Sequence, residues 1–157
     1  MVSPLDMAGF SVLLLLGLAL FSPFMGRLRT LQTNLTFSLS ALASLAAILA
    51  GAMTVAGGSV ATATLSLGLP GLPFHLRLDP LAGFFFVVIG LLGLCVSIYS
   101  IGYVKGYSGR RPLTRMVVFY TLFLAGMFLV VLADDAYFFL VAWELMAAAS
   151  YFLVMYE

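Results

Sequence analysis

The sequence predicts an all-α integral membrane protein, with about five transmembrane helices and a small extramembrane β-hairpin between helices two and three. Three observations lead there. Of the 157 residues, 64% are hydrophobic and only 8% are charged, whereas soluble domains carry roughly 25% charged residues. Five apolar runs approach or exceed the ~20 residues a helix needs to cross the hydrocarbon core. Between the second and third runs the pattern switches to alternation around a Pro70-Gly71 turn signal. The chain reads as a single membrane domain over 1–157, without a soluble domain or a solenoid repeat.

The first helix is expected over Ala8–Met25, with Pro23 near its end, where a break is tolerable. Met1–Met7 contains Asp6 and no Lys or Arg. A signal peptide opens on a positive segment, so this run is read as a retained helix. Helix two is expected over Phe37–Val55, closed by Gly57-Gly58. The hairpin is placed at 60–79, because Ala61–Leu67 and His75–Asp79 both alternate and Leu69-Pro70-Gly71-Leu72 lies between them. Helices three, four and five follow over Leu81–Tyr103, Met116–Ala133 and Ala136–Tyr156, with Asp134-Asp135 between the last two.

Orientation follows from the basic residues. Arg27 and Arg29 fall between helices one and two; Lys105, Arg110, Arg111 and Arg115 fall between three and four. With five crossings these loops share a side, which then holds six of the seven positive residues; only Arg77 lies opposite. The positive-inside rule puts the N-terminus outside and Glu157 inside. The basic loop at 105–115 is a topology signal first and a docking surface for an inner partner second.

Several classes of function find no support. A net charge of +1 by itself says nothing about nucleic acid, which is not an expected partner, and the single Cys95 cannot form an intrachain disulfide. There is no Gly-x-Ser-x-Gly, His-Glu-x-x-His, Cys-x-x-Cys or Walker loop. A lone histidine without an acidic cluster argues against a metal or haem site. No cofactor is expected, and no catalytic centre lies in the chain.

Glu144 stands out, as the one charge within the apolar stretch 136–156. Eight residues past Ala136, it is about 12 Å into helix five and close to mid-bilayer. A charge there is expensive, about 3 kcal/mol on insertion scales. The carboxyl needs a partner, a water-filled pocket or a bound proton, which is the chemistry of a proton pathway. Leu140, Ala147, Ala148 and Tyr151 share its helical face. Its small residues let a neighbouring helix approach. The plain alternative is a protonated carboxyl held by a backbone carbonyl.

Secondary candidates carry simpler structural readings. Asp134 and Asp135 fit a tight outer turn with Asp135 capping helix five, or an acidic rim that gathers protons. His75 fits an interfacial strand position, or a proton relay, since imidazole titrates near neutral pH. Tyr151, beside Ser150, would place hydroxyls inside the membrane. Tyr103, Tyr107, Tyr120, Tyr137 and Trp143 read as interfacial-belt or packing residues, and Met116, Met127, Met146 and Met155 as packing residues.

The string Asp134-Asp135-Ala-Tyr-Phe-Phe-Leu-Val-Ala-Trp143-Glu144-Leu-Met-Ala-Ala-Ala-Ser150-Tyr151-Phe-Leu-Val resembles a known family. These are the antiporter-like proton-translocating membrane subunits of respiratory complex I, multisubunit cation/proton antiporters and membrane-bound hydrogenases. The string points to the hydrogenase-4 component B branch. The hairpin and the Leu78-Asp79-Pro80-Leu81-Ala82 lead into helix three match as well. The resemblance implies that Glu144 is the key acid of helix five, pairing with a lysine on a later helix. It also implies partners: the lipid bilayer and other membrane and peripheral subunits of a hydrogenase or complex-I-like assembly. Family members have about fourteen helices, arranged partly as inverted repeats. This chain holds five and has no lysine besides Lys105, so it is expected to be an N-terminal fragment of such a subunit.

The function expected is the N-terminal portion of a membrane subunit in an energy-converting hydrogenase or related complex, contributing to proton translocation coupled to electron transfer. It would sit in the inner (plasma) membrane of a prokaryote. The alternatives are a non-conducting structural or assembly fragment, or a membrane subunit of complex I or a cation/proton antiporter. A small autonomous drug or proton-coupled transporter is a further class. Nothing marks a substrate pocket for it.

Overall fold

A computed structural model of the chain describes residues 3–26, 29–69, 71–107 and 113–155. Arg27, Arg110, Arg111 and Glu157, used above for orientation, lie outside the described residues. Five helices are long and apolar enough to cross a membrane. They are α1 (Pro4–Phe21), α2 (Arg29–Gly57), α3 (Pro80–Tyr103), α4 (Leu113–Leu132) and α5 (Ala136–Val154). Between α2 and α3, β1 (Ala61–Leu69) and β2 (Leu72–Leu78) pair antiparallel. The expected architecture and hairpin are both present.

Helix ends follow local chemistry. α1 begins at Pro4, four residues before the expected start, because Ser3 and Asp6 form a capping box: each side chain takes the other's backbone N–H. It stops at Phe21, and Pro23 lies in a 3-10 turn over Ser22–Met25. α2 ends at Gly57, with Gly58 at φ +58, a left-handed conformation that glycine adopts without strain. Gly71, at φ +88, turns the hairpin. α3 starts behind Asp79, whose Oδ1 accepts from Ala82 N at 2.8 Å.

The start of α2 corrects the sequence-based expectation. The helix begins at Arg29, eight residues before Phe37. Thr30–Thr36 reads as a polar loop, but Gln32, Thr33 and Thr36 are buried. Gln32 Nε2 donates to Ser22 O at 2.7 Å and to Ser22 Oγ at 2.9 Å, while its Oε1 accepts from Thr114 Oγ1 at 3.2 Å. Paired this way, a polar turn can be buried without penalty. α4 likewise starts three residues early, where Leu113 is buried against Phe37, Val104 and Val117.

α2 and α3 form the tightest pair, α1 packs on α2 and α4, and α5 packs mainly on α4. The main core gathers Leu15, Leu78, Phe86, Leu124, Phe128 and Leu132 with the small faces of Ala43, Ala47 and Ala50. The rings of Phe86 and Phe128 lie 4.8 Å apart. Lipid is as apolar as these side chains, so close packing rather than water exclusion holds the helices together. Glycines set that closeness. A Cβ on Gly51 would clash with the Gly83 carbonyl oxygen, and one on Gly126 would lie 2.9 Å from Met146 Cα.

The hairpin lies at the bundle end that carries the start of α1 and the α4–α5 turn. Leu76 bridges to Ala133 there, and Phe74 stacks on Phe138 at 4.5 Å.

Candidate functional site

α5 presents Glu144 near its midpoint, eight residues past its first residue, Ala136. Only 17% of the α5 span is buried, against 33–39% in the other four. Phe138, Ala142 and Ala149 are its buried residues. Glu144 is exposed, as are Leu140, Ala147, Ala148 and Tyr151 on the same face. The face picked out by helical spacing is therefore the face that no other described element covers. No hydrogen bond or ion pair joins Glu144 to another described residue. Tyr151 packs edge-on against Phe152 and does not bond to Glu144.

The other sequence-predicted residues meet at the hairpin end, some 12 Å from Glu144 along α5. Asp135 caps α5, its Oδ1 accepting from Phe138 N at 2.7 Å. Its Oδ2 accepts from His75 N at 2.9 Å and lies 3.4 Å from His75 Nδ1. Asp134 N donates back to His75 O at 3.0 Å. Hydrogen bonds from Phe138 N and then His75 N stabilise the ionised Asp135 carboxylate and hold it below the usual carboxylate range.

Arg77 completes this cluster, which the sequence did not reveal. It stands two residues from His75 on β2, hence on the same strand face. Its Nε lies 3.4 Å from Asp79 Oδ2, and a terminal nitrogen lies 3.7 Å from Asp134 Oδ1. Both pairs are part-exposed and individually weak. A groove of about 490 Å³ opens beside them, floored by Leu81, Phe85 and Val131. The i, i+2 spacing of His75 and Arg77 was visible in the sequence. Their meeting with Asp134 and Asp135 is a tertiary event.

The geometry is thus a mid-helix carboxyl on a bare face, below a hairpin fastened by charged groups over the mouth of the same helix. Residues 65–111, from β1 through α3, match the family model described as the N-terminus of NADH-ubiquinone oxidoreductase (complex I) chain 5. Over this stretch the chain is similar to antiporter-like membrane subunits. Hydrogenase-4 component B of Escherichia coli (strain K12) is 38% identical over 80 residues, covering 51% of this chain and 12% of that protein. NADH-quinone oxidoreductase subunit L of Mycobacterium tuberculosis (strain ATCC 25618 / H37Rv) is 38% identical over 81 residues, 52% of this chain and 12% of its own length. A putative antiporter subunit mnhA2 of Staphylococcus aureus (strain MRSA252) is 37% identical over 81 residues, 52% of this chain and 10% of its own. The chain matches about an eighth or less of the length of these antiporter-like relatives. With five helices long and apolar enough to span, it is a multi-pass membrane protein. Glu144 lies beyond the residues of the family-model match.

Proposed function

We propose that this chain forms the leading membrane part of a proton-translocating subunit in an energy-converting hydrogenase or a related complex, with Glu144 as the carboxyl that takes up and releases protons. Glu144 itself carries the reading: an ionisable group midway along a spanning helix, on an uncovered face lined by Ala147 and Ala148. Intramembrane acids are expensive, and their usual role is a relay or ion site facing a bundle interior. Further helices packing on this face would enclose the carboxyl and supply its cation partner. The hairpin, Asp134 and Asp135 would form the outer rim, with the N-terminus outside and the subunit in a prokaryotic plasma membrane among membrane and peripheral partners.

The relatives include a hydrogenase component, a putative antiporter subunit and NADH-quinone oxidoreductase subunits. That spread favours a second assignment, in which the same proton chemistry serves complex I or a cation/proton antiporter. Proton uptake into vesicles carrying the assembled complex tests the role of Glu144. Glu144→Gln keeps shape but cannot ionise, and should cut uptake at least tenfold while leaving the complex assembled. A loss of at least tenfold corresponds to at least about 1.4 kcal/mol in the rate-limiting step. Asp134→Asn should have a much smaller effect, because bulk water can replace it at the rim. Normal uptake by Glu144→Gln would leave this residue a packing role. Assaying hydrogen turnover and NADH-dependent quinone reduction in parallel separates the assignments: the first marks a hydrogenase, the second complex I, and proton exchange with neither marks an antiporter.

A further inference from the structure

A second polar feature lies inside the bundle, on the far side of α4 from α5. Gln32, Thr36, Ser40 and Ser44 follow one another at i+4 along α2, each at most 1% exposed. The stripe runs about 18 Å from the Arg29 end into the helix pack. Its first member is satisfied by Ser22 and Thr114. Its last two are not: the hydroxyls of Ser40 and Ser44 have no hydrogen-bond partner among the described residues.

These hydroxyls differ from others buried in the same bundle. Ser11 bonds back to Ala8 O at 2.7 Å, Thr54 to Ala50 O at 2.8 Å and Thr121 to Val117 O at 3.1 Å. That is the ordinary way a helical hydroxyl satisfies itself in an apolar setting. Ser40 and Ser44 forgo it. Ser44 Oγ points at α3 and lies 2.7 Å from where a Cβ on Gly93 would sit. Gly93 O accepts from the Tyr120 hydroxyl of α4 at 3.1 Å, and that hydroxyl lies 2.8 Å from Ser97 Oγ. α2 and α3 run antiparallel, Gly51 meeting Gly83 and Ser44 meeting Gly93, which puts Ser40, one turn before Ser44, at the level of Ser97, about one turn after Gly93. The rings of Phe37 and Tyr120, 5.6 Å apart, close the seam toward the Arg29 end. Hydroxyls from three helices therefore gather around Gly93: Ser44 beside its Cα, Tyr120 on its carbonyl and Ser97 on Tyr120.

We propose that this seam between α2, α3 and α4 is a binding site for internal water, which bridges Ser40 and Ser44 to the Ser97–Tyr120 pair. Unpaired hydroxyls in an apolar interior are costly, and buried waters bind where two to four such groups converge. Water fits better than a cation, because the lining named above contains no carboxylate. It fits better than a larger ligand, because Leu124 and Ser44 both crowd Gly93. The site is independent of Glu144, which faces away on α5.

The test is infrared difference spectroscopy of the whole protein in nanodiscs, comparing H2-16O with H2-18O. The wild type should show an oxygen-isotope-sensitive O–H stretch of internal water that Ser40→Ala/Ser44→Ala loses and Tyr120→Phe shifts. Ser11→Ala, which removes a self-bonded hydroxyl, should leave the band in place. Loss of the bridges should also lower the Tm by about 2–4 °C per hydroxyl removed. An unchanged band in the double variant overturns the proposal. A rise in Tm then follows as well, because removing an unpaired buried group relieves its desolvation penalty.

Discussion

At Asp135 a single carboxylate closes two structures. One oxygen takes the Phe138 N–H and starts α5; the other takes the His75 N–H and holds β2 in place. Those two donors keep the carboxyl ionised below the usual range. Its contribution to stability is therefore complete above the unfolded value of about 3.9 and is lost as pH falls through the lower folded value. Amide protection at His75 and Phe138 should fall in acid below about pH 4 in the wild type. In Asp135→Asn protection should stay flat with pH, high at Phe138, where the amide oxygen still caps, and low at His75, whose N–H the amide NH2 cannot accept. Equal acid sensitivity in both would place the titrating group elsewhere. The cap was legible in the sequence, as an acid just before an apolar helix. The link to His75 was not, since nothing local to either residue encodes a contact 60 positions away.

Among the elements, α2 and α3 show how membrane helices stick without a hydrophobic drive. Gly51 and Gly83 face each other so closely that neither has room for a methyl group. Gly51→Ala should push the helices apart and cost about 1–3 kcal/mol, as overpacking does. Gly17, with no neighbouring atom within 4 Å, supplies the contrast: Gly17→Ala should leave stability unchanged or slightly raised. Reversible unfolding in bicelles distinguishes the pair, and equal effects would remove the close contact as the cause. The five apolar runs and the hairpin were readable because the bilayer demands length and the strands demand alternation. The first turns of α2 were hidden, since Gln32, Thr33 and Thr36 carry loop chemistry by composition. Only the Ser22 and Thr114 partners of Gln32 make such a turn buriable.

Across the described residues, the bundle has a covered side and a bare one. α1 to α4 enclose the core, while α5 offers Glu144, Leu140 and Tyr151 outward. Depth and lone charge single out Glu144 as a candidate from the sequence alone, and periodicity picks out the face it shares with Leu140 and Tyr151. That the face is bare depends on which side of α5 meets α4, and Gly126 settles this by admitting Met146. Sidedness can be tested directly. With Cys95→Ser as background, a cysteine at the exposed hairpin position Ser66 should react with a membrane-impermeant thiol reagent in intact cells. Labelling only in inverted vesicles would reverse the proposed orientation.

The clasp between hairpin and α4–α5 turn also has a consequence in time. His75 leaves the ribosome 60 residues ahead of Asp135, so β2 must wait, beyond the bilayer in the proposed orientation, while α3, α4 and the start of α5 are still being made. His75 N and O find Asp135 and the Asp134 amide only after the later helix pair has threaded the bilayer the right way round. A pair inserted in the opposite sense would deliver its turn to the wrong leaflet and leave the hairpin undocked. The fastening is thus a late step of biogenesis, and it distinguishes a correctly inserted chain from a misinserted one.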